Sequence, residues 1–137
     1  MKHFASLLLL AIFLSFSSTS LQARCLTLDK ISPVVVSSFP KAGMETVDAD
    51  TTEIRVVFSK DMLTDNMWSV VEPVKGAFPE IIGEVRFLED ARTFVIPVKL
   101  EQNKLYVLSF NSPTHRSFRD TSGNSAQPYL LSFKTSG

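Results

Sequence analysis

Apolar residues fall on every second position in five short stretches of this chain. They are Ile54, Val56 and Phe58; Val85 and Phe87; Phe94, Ile96 and Val98; Tyr106, Leu108 and Phe110; and Tyr129, Leu131 and Phe133. In the first two stretches the intervening positions carry charge, at Glu53 and Arg55 and at Glu84 and Arg86. A strand sends successive side chains to opposite faces, so this period is what a sheet with one buried face requires. Strands are therefore predicted over residues 52–58, 83–88, 93–98, 105–110 and 129–133.

Two less regular strands complete the set. Residues 34–38 are β-branched and lack helix formers, and 67–71 contain Trp68, Val70 and Val71 before Pro73 stops them. Pro40 and Gly43 break the first of these, and the loop after them is expected to run on through Asp48 and Asp50. Residues 60–65 read as a turn or a single helical turn. Pro97 has no N–H to give a ladder, which predicts an edge position or a strand end there. A long polar loop is expected over 111–127. Seven short strands separated by turn signals, with no convincing helix, predict an all-β chain folded as an antiparallel β-sandwich or small barrel. Packing two sheets face to face places Phe58, Phe87, Phe94, Phe110 and Phe133 in one core.

The N-terminus is of a different character. Met1-Lys2-His3 is basic, residues 4–16 are almost uninterruptedly apolar, and 17–23 are small and polar up to Ala23. That order is the one a secretory signal peptide follows, and about 13 apolar residues fall short of the roughly 20 that span a bilayer as a helix. The expected organisation is a signal peptide over 1–23 and one domain over 24–137, giving an exported, periplasmic or surface protein with no transmembrane segment after cleavage. Removing Lys2 with the signal leaves 13 basic against 14 acidic residues. A balance so near neutral gives no broad attraction for nucleic acid or an anionic membrane.

Cys25 is the single cysteine, so no intramolecular disulfide forms. Arg24 just before it does not suit a lipid-anchor site, which leaves a free thiol or a bridge to another protein. The residues offer little catalytic chemistry. No serine lies in a Gly-x-Ser-x-Gly elbow, and His115 is the one histidine after the signal. His115, Arg116 and Arg119 lie together in a basic stretch that could face an anionic group of a partner, although loops commonly collect charge without a ligand. Asp48 with Asp50, and Asp61 with Asp65, offer oxygen atoms of the type Ca²⁺ takes. No twelve-residue Ca²⁺ loop accompanies them, and turn aspartates ordinarily hydrogen-bond the backbone. The expectation is a non-enzymatic chain with no metal or cofactor, whose candidate partner contacts are Cys25, His115, Arg116 and Arg119. Trp68 and the other aromatics are expected in the core rather than on a carbohydrate platform.

The pattern also resembles a known family. Pro33, Val35, Ser37, Pro40, Gly43 and Val47, the run Phe58-Ser59-Lys60-Asp61-Met62, then Leu100, Tyr106, Asp120-x-x-Gly123-Asn124, Tyr129, Phe133 and Thr135 are similar to bacterial Ig-like domains of the S-layer-protein type. The likeness covers about residues 32–135; it departs at 111–119, which is longer and more basic than such domains suggest. It implies an extracytoplasmic, all-β, Ig-like antiparallel β-sandwich of about seven strands acting as a spacer or interaction module, with another envelope or extracellular protein as partner and without catalytic residues. The opening segment also resembles CopC-like periplasmic copper carriers. Those imply an N-terminal histidine and a late Asp–His pair, whereas this chain has Arg24-Cys25 and Asp120 without a matching histidine. Met44, Met62 and Met67 are the remaining soft donors for that alternative, and methionines in an apolar domain ordinarily pack.

Overall fold

A computed structural model describes residues 25–137. The expected signal peptide and its junction lie outside those residues. After a single 3₁₀ turn at Leu28–Lys30 come nine strands: β1 Val35–Phe39, β2 Met44–Val47, β3 Glu53–Phe58, β4 Val70–Val71, β5 Glu80–Ile81, β6 Arg86–Phe87, β7 Thr93–Lys99, β8 Leu105–Phe110 and β9 Tyr129–Thr135. One sheet runs β1-β3-β7, with β5 and β6 both paired to the far side of β7; the other runs β2-β9-β8-β4. The sheets form the expected sandwich. Among the described residues, no helix is long and apolar enough to cross a membrane.

The alternating stretches form the interior. Ile54, Val56, Phe58, Phe94, Ile96, Tyr106, Leu108, Phe110, Leu131 and Phe133 are each exposed by 1% or less. Burying a large apolar side chain contributes about 1.5–3 kcal/mol, so these two faces dominate the stability of the fold. Phe87 lies at the margin, half-buried against the same cluster.

Several expectations need correction. The loop expected after Gly43 contains β2. Three of its four residues are exposed, so it carries no alternation to read. It exists because its backbone adds to β9, and that pairing is parallel, the one exception in an otherwise antiparallel fold. Gly43 makes the approach possible: its φ is +80° and its N–H donates to the Ser132 carbonyl at 2.7 Å. β5 is likewise exposed and went unpredicted, whereas the strand expected over 67–71 shrinks to two residues. Residues 60–65 form no helical turn; Met62 makes an extended bridge to Asp120.

Pro97 lies inside β7, with β3 on one side and β5 and β6 on the other. Val98 N–H donates to Thr52 on the β3 side, and the Pro97 carbonyl accepts from Ile82 on the other. The missing N–H thus faces the gap where β5 has ended and β6 has not begun. Gly83 occupies that gap, so close that a Cβ there would stand 3.1 Å from the Pro97 Cβ. The proline has its edge, but a local one inside the sheet.

Candidate functional site

The long segment between β8 and β9 is more than a polar loop. Phe118 is fully buried in the middle of it. Its ring lies 5.1 Å from Phe58 and 4.9 Å from Phe94, nearly edge-on to the latter. Centroid separations of this size are those aromatic pairs prefer. Asn111 holds the segment in place from a left-handed backbone position, φ +60°. Its side-chain oxygen accepts from Ser69 Oγ at 2.6 Å and Phe118 N at 3.0 Å. Its amide donates to the Phe118 carbonyl at 3.1 Å and the Ala126 carbonyl at 3.0 Å. Every polar atom of that buried amide is used, as burial demands.

Asp120 is the second organising group. It is exposed by 1% and sits beside the bridge to Met62. One carboxylate oxygen accepts from the backbone N–H groups of Ser122 at 3.0 Å and Asn124 at 2.8 Å. The other accepts from Lys60 Nζ at 3.0 Å and Asn124 Nδ2 at 2.9 Å. Burial alone would raise the Asp120 pKa. The hydrogen bonds from Asn124 and Lys60, with the charge of Lys60, outweigh it and hold the carboxyl below its ordinary value. The ionised form is therefore the one built into the fold.

The residues expected to contact a partner are dispersed. Cys25 is a free, exposed thiol at the start of the described chain. His115 and Arg116 are exposed at the tip of the segment between β8 and β9. The His115 ring nitrogen Nδ1 lies 3.1 Å from Thr114 Oγ1. Arg119 is half-buried, and its guanidinium donates to the Gly123 carbonyl at 3.1 Å. His115 and Arg119 thus engage different neighbours. Two of the four aspartates considered for Ca²⁺ are engaged: Asp48 accepts from the Asp50 N–H at 2.9 Å and Asp61 from Arg92 Nε at 2.6 Å. Met62 is a core residue, 2% exposed, while Met44 is on the outer strand β2. No group of three or more His, Cys, Asp or Glu suited to hold a metal occurs among the described residues. Trp68 is 39% exposed, its ring tilted 6.1 Å from Phe94, and so is less interior than expected.

The profile of the family described as bacterial Ig-like domain matches residues 29–135. The chain belongs to this family. Among solved structures, this Ig-like domain is similar to the S-layer protein rSbsC(31-844), at 19% identity over 77% of this chain and TM-score 0.47. It is also similar to surface layer protein SbsC, domains 1-6, at 18% identity over 78% and TM-score 0.48. In each case the domain spans 14% of the other chain. No curated protein matches the sequence.

The residues that carried the resemblance meet in the Ig-like domain. The 58–62 run and the 120–124 motif are 60 positions apart in the Lys60–Asp120 pair, yet they clasp through that pair and the Met62–Asp120 bridge. Thr135 does similar work at the opposite end, its hydroxyl bonding the Glu101 carbonyl and accepting from Lys104 N. Sequence reasoning missed Asn111 and Phe118. Asn111 directly follows a strand and is of a residue type enriched at αL positions, and Phe118 is a lone aromatic among polar residues; these were the available signals.

Proposed function

We propose that this chain is a non-enzymatic, exported Ig-like module of the bacterial cell envelope or surface, working through contacts with another protein. The observation that carries the reading is the use to which the buried polar groups are put. Asn111, Asp120 and Thr135 each spend their hydrogen bonds holding loops to the sandwich. Catalytic groups instead keep a polar atom free and aim it at a reacting atom. Membership of the bacterial Ig-like family supports the same reading, as does the basic–apolar–small order of residues 1–23. The contacts assigned to the partner are Cys25, the exposed His115 and Arg116, and the half-buried Arg119. Copper carriage has less support, because Met62 is committed to the core.

The test is capture of a partner from the envelope fraction of the source cell by the purified protein. The expected result is one stoichiometric partner that is lost on charge reversal of Arg116 and Arg119, and a covalent adduct that disappears in Cys25→Ser. Localisation of the tagged full-length chain to the cytoplasm would overturn the reading. So would hydrolase or transferase activity that vanishes in His115→Ala.

A further inference from the structure

The segment ahead of β1 is attached to the domain in an unusual way. Leu26 and Leu28 are 75% and 79% exposed, and no residue of the Leu28–Lys30 turn is buried. Hydrophobic burial therefore does little to hold it. Two side-chain donors reach it instead. Lys60 Nζ donates to the Ile31 carbonyl, and Asn124 Nδ2 donates to the Asp29 carbonyl at 2.6 Å. Among the described residues, the other hydrogen bonds of the segment are internal, Lys30 N to Thr27 O and Ile31 N to Leu28 O. Both external donors also bond the same carboxylate oxygen, Asp120 Oδ2, at 3.0 and 2.9 Å.

We propose that residues 25–32 are a strap that opens as a unit while the sandwich stays folded, and that Asp120 keeps it closed by aiming Lys60 and Asn124 at its carbonyls. The opening stops at a defined point. Pro33 is buried, and its carbonyl accepts from Gln127 N–H at 2.9 Å. Val34 is pinned on both sides by Ser59, through Ser59 N to Val34 O at 2.8 Å and Val34 N to Ser59 Oγ at 3.1 Å. Segments with few buried apolar contacts open well below the free energy of global unfolding. Opening uncovers the cleft that Leu28 and Asp29 line together with Lys60, Arg92, Asp120 and Thr121.

Lys30 lies in the strap and is exposed, so trypsin reports the opening at the Lys30–Ile31 bond. When reclosing outpaces cleavage, the rate of cutting follows the population of the open form. The purified protein, Lys60→Met, Asn124→Ala and Leu131→Ala are compared by mass spectrometry of the digest and by thermal melting. Losing one donor is expected to speed cutting at Lys30 about fivefold or more, the change that corresponds to one hydrogen bond. Leu131→Ala, which weakens the core, is expected to leave that rate near the parent value despite a lower melting temperature. The protein cut at Lys30 should melt within a few degrees of the intact one. Unchanged cutting in both donor variants overturns the proposal. So does cutting that tracks melting temperature across all three variants, or a cut product that unfolds.

Discussion

Four donor groups converge on the two carboxylate oxygens of Asp120, from Lys60, Ser122 and Asn124. Each donor prefers the ionised form, so the native state binds a proton at this site less readily than the unfolded chain does. The folded pKa lies below the ordinary value of 3.8. The stabilisation is therefore fully present above that value and is lost as pH falls through and below it. Denaturant midpoints measured from pH 7 down to pH 2 should show this as a steep acid limb. Asp120→Asn should lower the midpoint at pH 7 and flatten the limb. A limb of unchanged steepness in the variant would assign the acid sensitivity to other carboxylates.

At the scale of single elements, the fourth strand position of the first sheet is split into β5 and β6, and Gly83 and Pro97 face each other across the split. The proline ring belongs to a strand paired on both sides, so it has little room to yield. Gly83→Ala should cost about 1–3 kcal/mol, the usual range for overpacking. Combining it with Pro97→Ala should restore some of that loss, a coupling that urea titration of the four proteins in the cycle would measure. These elements also mark what sequence can reveal. β3, β7, β8 and β9 are legible because one face of each enters the core and imprints a period of two on the residues, even though the other face of β7 and β8 is largely covered too. β2 and β5 bury almost nothing and are held by backbone hydrogen bonds, which any residue but proline can make; their sequences carry no such imprint. The 58–62 and 120–124 runs were legible as separate motifs. Their meeting was not, because the contact depends on how the chain returns between β8 and β9.

For the molecule as a whole, the segment between β8 and β9 closes one end of the sandwich with Phe118. Phe118→Ala should cost about 3–5 kcal/mol, as for a fully buried phenylalanine elsewhere. A loss below about 1 kcal/mol in equilibrium unfolding, far under that range, would show that the segment merely lies over a core that is complete without it. The parallel pairing of β2 with β9 has a different consequence. β2 follows β1 and β9 ends the fold, so once β1 has been drawn off β3, tension applied between the two chain ends runs lengthwise along both β2 and β9. The bonds from Gly43 N to Ser132 O and from Ser136 N to Val47 O would then bear load together instead of breaking in succession. Force–extension curves should show one abrupt, high-force rupture when the domain is pulled by its ends, and a much weaker one when it is pulled through attachments in β4 and β8, which are antiparallel. Such a domain resists being drawn out lengthwise while remaining comparatively easy to peel apart from the side.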